Sequence, residues 1–110
     1  MIRKLALGAA ALMLAVGTAY ADPIDGSWKT QSGETASIAG GAITLKTGKH
    51  AGKRIGQMNA AGGGKYTGTI TDPANDKTYK GKATLSGSTL KMSGCVAGGL
   101  LCRTQTWKKL

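Results

Sequence analysis

Few side chains in this sequence could do chemistry, and none of them forms a set. The single histidine, His50, lies in the glycine-spaced run Thr47-Gly48-Lys49-His50-Ala51-Gly52-Lys53. Nucleophilic catalysis needs a nucleophile, a base within hydrogen-bond reach and a group that orients the base, and no serine or threonine stands in such a relation to His50. Asp72 and Asp76 are close enough in sequence to suggest a glycosidase carboxylate pair. Both, however, belong to Thr71-Asp72-Pro73-Ala74-Asn75-Asp76, where proline sets φ and Asp and Asn side chains bond nearby backbone to make a turn. The Gly-Lys pairs at 48–49, 52–53, 64–65 and 81–82 are never followed by Ser or Thr, so a phosphate-cradling P-loop is absent. Two cysteines and one histidine fall short of the four ligands of a structural metal site. The expectation is a protein that is not an enzyme and carries no cofactor and no metal.

Two constellations remain as candidates for binding or closure. Lys49, His50, Lys53 and Arg54 surround flexible backbone, a reasonable seat for an anion. Trp28 and Trp107 lie near opposite ends of residues 22–110; if Trp107 points inward, period two turns Gln105 and Arg103 inward with it. An Arg103 guanidinium stacked on Trp28 would then join the first strand to the last by a cation–π contact.

The elements that must position these residues are strands. From Lys65 onward, polar residues alternate with apolar or small ones through Lys65–Ile70, Thr78–Leu85 and Thr89–Ser93, which places Tyr79, Gly81, Ala83, Leu85, Leu90 and Met92 inward and Lys80, Lys82 and Lys91 outward. Ser86-Gly87-Ser88 makes a short hairpin between the last two. Further strands are expected at Gly26–Thr30, Glu34–Ala39, Ala42–Lys46, Arg54–Met58 and Arg103–Lys108, with Ala60–Gly64 a flexible loop. About eight short strands joined by short turns imply an all-β, antiparallel up-and-down barrel, since closure removes sheet edges. A two-sheet sandwich is the alternative.

Composition sets the compartment. Arg3 and Lys4 precede the apolar stretch Leu5–Val16, too short to span a bilayer, and Ala19-Tyr20-Ala21 offers a small-x-small cleavage site. Residues 1–21 are therefore expected to be a cleaved export signal, and residues 22–110 one soluble domain, periplasmic or extracellular, without a transmembrane segment. Losing Arg3 and Lys4 takes the net charge from +10 to +8. Such a surface favours anionic partners. Outside the cytosol these are envelope polymers or lipid surfaces, and nucleic acid is not expected. In an oxidising compartment Cys95 and Cys102 should pair, which helps a small, phenylalanine-free core.

Ile24-Asp25-Gly26-Ser27-Trp28, Ile70-Thr71-Asp72-Pro73 with Lys77-Thr78-Tyr79, and Cys102-Arg103-Thr104-Gln105-Thr106-Trp107 together resemble the bacterial exported family known as domain of unknown function 2147 (DUF2147). The resemblance implies a secreted β-domain and brings no activity with it. Relatives often carry a second cysteine pair around the stretch that here reads Ala39-Gly40-Gly41-Ala42, so the early strands lack that staple. Gly26-Ser27-Trp28 and a late arginine also resemble lipocalin-like barrels, a likeness of fold only. The functional expectation is a non-catalytic binding protein for an anionic envelope component. The alternatives are a lipocalin-like carrier of a small ligand and a protein-interaction or inhibitor module of the periplasm.

Overall fold

The computed structural model describes residues 22–110. The expected export signal at residues 1–21 lies outside them. Eight antiparallel strands close into a barrel in sequential order: β1 (Gly26–Lys29), β2 (Thr35–Ala39), β3 (Ala42–Leu45), β4 (Arg54–Gly62), β5 (Lys65–Asp72), β6 (Lys77–Ser86), β7 (Thr89–Val96) and β8 (Leu101–Lys109). The only helical element among the described residues is a 3-10 turn, Ala97–Gly99, between β7 and β8. The up-and-down barrel replaces the sandwich alternative.

Period two decides what lies inside. Tyr66 pairs with Ala83, Gly68 with Gly81 and Ile70 with Tyr79 across β5 and β6; Ala83 pairs with Met92 and Leu85 with Leu90 across β6 and β7. All of these point into the barrel, while Lys80, Lys82 and Lys91 are exposed on the other face. An eight-stranded barrel has an interior just wide enough for side chains to fill. Here glycine makes the room: a Cβ added to Gly81 would stand 2.6 Å from Met58 Cε and 2.9 Å from Ile70 Cγ1. Met58 and Ile70 thus occupy the volume that the inward Gly81 leaves.

The early strands form without a second disulfide, through apolar register. Ile38 pairs with Ile43 and Ala36 with Leu45 across β2 and β3, and all four are buried. Between β3 and β4 the register shifts, so that Ile43 faces Gly56 while Thr44 faces Arg54. Ile55 is the extra residue of this bulge, and both it and Gly56 are buried. The Ala60–Gly64 stretch is not a free loop. Backbone pairing of Asn59 with Thr67, Ala60 with Tyr66 and Gly62 with Lys65 carries β4 to Gly62, because the hairpin ladder needs no side chains to continue.

One end of the barrel is sealed. Asp25 N–H donates to Asp22 C=O at 2.8 Å, folding Asp22-Pro23-Ile24-Asp25 into a turn that drives Ile24 into the interior. Ile24 and Trp28 are 1% and 0% exposed. The Trp28 indole Nε1 donates to Ile24 C=O at 2.8 Å, and the Tyr66 hydroxyl donates to Asp22 Oδ1 at 2.6 Å. A buried indole and a buried phenol each keep a partner in this way. Burial, then the hydrogen bond to Asp22, then the charges of Asp22 and Asp25, push the Tyr66 phenol from its ordinary 10.0 up to about 12.

Candidate functional site

The opposite end is open because the strands differ in length. β1, β2 and β3 have 4, 5 and 4 residues, whereas β5 to β8 have 8, 10, 8 and 9. The seam between first and last strands consists of two pairs, Trp28 with Lys109 and Lys29 with Lys108. Just beyond it, Gln31 Oε1 accepts a hydrogen bond from Thr106 N–H at 2.9 Å. Further along, β8 keeps pairing with β7 up to Leu101, so four long strands project past the short ones as a concave wall.

That wall encloses a cavity of about 790 Å³. Met92, Trp107 and Ile55 form its floor, while Ile70, Tyr79, Val96 and Leu101 line it further out. Gly94 adds space instead of bulk, since even a Cβ placed there would only reach ordinary contact with Tyr79 Cβ at 3.4 Å. Polar groups sit among these residues: Gln105, which accepts from the Trp107 indole at 3.0 Å, Asp72 and Lys77 at the β5–β6 turn, and Arg103. The Arg103 guanidinium makes no ion pair or hydrogen bond with any described residue, and the residue is exposed. Asp72 Oδ1 is already engaged by Ala74 N–H at 2.9 Å, as the turn chemistry requires. The outer lip is apolar and wet, with Leu100, Leu101 and Val96 at 84%, 66% and 43% exposure.

Cys95 and Cys102 are paired neighbours across β7 and β8 and form a disulfide with Cα atoms 4.1 Å apart. The bridge sits one residue along each strand from Gly94 and Arg103, just below the β7–β8 connection that carries the lip, with Cys95 buried and Cys102 bordering the cavity.

The basic loop is held by its own neighbours. Lys53 Nζ forms an ion pair with Asp76 at 2.6 Å and reaches Pro73 C=O at 3.4 Å, tying the β3–β4 connection to the β5–β6 turn. The Arg54 guanidinium donates to Gln57 Oε1, and the Glu34 carboxylate rests against Gly48. Lys49 is exposed and His50 half-buried. Lys49, His50, Lys53 and Arg54 share a neighbourhood, but Lys53 and Arg54 are directed to different partners, and Glu34 and Asp76 offset their field.

Trp28 and Trp107 are both buried beside the seam. The cation over Trp28, however, is Lys109, with Nζ 5.0 Å from the ring centroid, and not Arg103. Arg103 is six residues along β8 from Trp28's pairing partner, a separation of about 20 Å at the strand rise. Sequence periodicity put Arg103 on the inward face; only the seam register could show that it belongs to the other mouth. Tyr66, an inward residue by the same periodicity, serves the sealed end, whereas Met92 reaches the cavity. The residues that sequence reasoning missed are Tyr79, Gly94, Val96, Leu101 and Lys77 as walls of one cavity. The signal available for them was the continuation of alternation past Ile70 and Ser93.

Among the described residues no three of His, Cys, Asp or Glu gather to hold a metal ion. The open mouth presents apolar walls, a few fixed polar groups and the exposed Arg103 side chain.

No curated protein and no solved structure matches the chain. A family model does match, that of DUF2147, described as uncharacterized protein conserved in bacteria, over residues 42–109. The matched span starts at β3, so it includes the Asp72-Pro73 turn and the closing Cys102–Trp107 run, while Ile24–Trp28 lies before it. Because the match covers more than half of the chain, this protein belongs to the DUF2147 family.

Proposed function

We propose that this protein is an exported, non-catalytic binder of a small amphiphilic molecule with an anionic end, taken into the open mouth between β5 and β8. The supporting observation is the cavity itself: about 790 Å³, apolar in its floor and much of its wall, with the Arg103 guanidinium free at its rim. Ligand pockets occupy roughly 300–1,000 Å³ and combine apolar walls with a few polar groups that fix orientation. Guanidinium suits carboxylate or phosphate through its planar fork of donors. The basic surface outside the mouth attracts such molecules at long range, and its contribution falls with salt.

The test uses dodecanoate and its methyl ester, followed by tryptophan fluorescence because Trp107 lies in the floor of the cavity. Dodecanoate should bind, and the ester more weakly. Arg103→Ala should reduce dodecanoate affinity by about 10-fold or more, the ordinary value of a hydrogen bond to a charged group. Gly94→Leu, which fills the cavity, should abolish binding while the fold is retained. Absence of binding by either probe at low salt overturns the proposal. Salt-sensitive binding to lipopolysaccharide that survives Gly94→Leu would instead assign the interaction to the outer basic surface.

A further inference from the structure

The sealed end contains a polar atom that the fold leaves without a partner. Asp25 Oδ1 is buried and accepts no hydrogen bond from any described residue. Its sister oxygen, Oδ2, lies 3.3 Å from the backbone nitrogen of Asp22. An unsatisfied buried carboxylate oxygen carries a full desolvation penalty. The charged and titratable groups around it do not relieve that penalty. Lys109 Nζ is directed to the carbonyls of Asp25 at 2.9 Å and Pro23 at 3.4 Å, and the Tyr66 hydroxyl to Asp22 Oδ1 at 2.6 Å. The Asp22 carboxylate adds a second negative charge beside the first.

We infer that the missing donor is the α-ammonium of Asp22, created when an envelope endopeptidase hydrolyses the Ala21–Asp22 bond behind Ala19-Tyr20-Ala21. Water adds across that amide, leaving a carboxylate on Ala21 and an amine on Asp22 that is protonated at neutral pH. Before hydrolysis this nitrogen has one hydrogen and no charge. Afterwards it has three hydrogens and a positive charge, which suits it to both oxygens of Asp25. The turn closed by Asp25 N–H and Asp22 C=O holds the two groups together. Removal of the leader is thus the step that completes the plug of the barrel. The inference rests on the export reading above and is independent of what the open mouth binds.

Its test starts from the full chain, exported and processed by the cell. Intact mass should give Asp22 as the first residue. A variant with one glycine inserted between Ala21 and Asp22 moves the ammonium out of place, and both forms are compared with and without Asp25→Asn. The insertion should lower Tm by about 4 to 8 °C in a domain of this size, and by much less in the Asp25→Asn background, because the two changes act on one contact. The α-amine should titrate above its ordinary value of about 8. A raised folded value gives stability that is complete below the unfolded value and is lost as pH rises through the folded one. The Tm difference should therefore close in alkaline solution. A first residue other than Asp22 overturns the cleavage site. An Asp22 terminus with a Tm indifferent to the insertion overturns the ion pair and leaves export standing.

Discussion

The two ends of this barrel solve opposite problems. At the sealed end, Ile24 and Trp28 fill the interior, and each buried donor on the indole and phenol finds an oxygen. At the open end, Leu100 and Leu101 stand in water above a cavity that no described residue fills. Stability resides at the first end and available volume at the second. The separation would let the proposed binding be altered without endangering the fold, a division usual where recognition is carried at the edge of a rigid scaffold.

The largest expected contrast is between Trp28 and Arg103. Trp28→Ala should cost about 3 to 5 kcal/mol, a large share of the 5 to 15 kcal/mol typical of a domain. Arg103→Ala should change stability by less than about 0.5 kcal/mol. Combined in one chain, the two losses should add to within about 0.5 kcal/mol, since the residues sit at opposite mouths. Urea denaturation of the single and double variants measures this, and strong coupling between them would contradict the register of the seam.

Next come two inward glycines. Gly81→Ala forces its new methyl onto Met58 and Ile70 and should cost about 1 to 3 kcal/mol as overpacking. Gly94→Ala meets only ordinary contact with Tyr79 and should stay within about 0.5 kcal/mol. Equal costs at the two positions would mean that the space beside Gly94 is as tightly filled as the space beside Gly81, its cross-strand partner.

The smallest effect is alkaline. With its phenol pushed up to about 12, Tyr66 favours the folded state fully below its ordinary 10.0 and loses that contribution as pH rises between the two values. Ultraviolet titration should show this late ionisation step, absent in Tyr66→Phe. Ionisation of Tyr66 near 10 would show that water reaches the sealed end.

Much of this architecture is legible in the sequence, and the limits have physical causes. Alternation from Lys65 to Ser93 reports burial on one face, so the inward set of β5 to β7 follows directly. The Asp72–Asp76 turn and the Cys95–Cys102 bridge are local and equally readable. Alternation does not report where pairing stops, and it cannot register the bulge that turns Ile55 inward beside Gly56. Nor does it fix which residue of β8 stands opposite Trp28, because the seam joins residues far apart in the chain. The cavity escapes for the same reason: it is a difference in strand length, visible only once β1 and β8 are side by side. Basic residues from 46 to 54 are conspicuous in the sequence, yet their partners Asp76 and Glu34 come from other turns.

The seam also bears on how the chain folds. Every other strand pair in the barrel is a hairpin, closed over a short loop, whereas Trp28 and Lys109 are joined across nearly the whole described chain for only two pairs. Loop-closure entropy must be met before such a distant contact contributes anything, and contacts of this kind slow folding. The β5–β8 meander can assemble from local pairings alone, while β1 depends on both β2 and the far end of the chain. Native-state hydrogen exchange should therefore find β1 among the first strands to open and β6 among the last. On the export reading proposed above, the strand that closes the barrel is also the one nearest the expected cleavage site after Ala21.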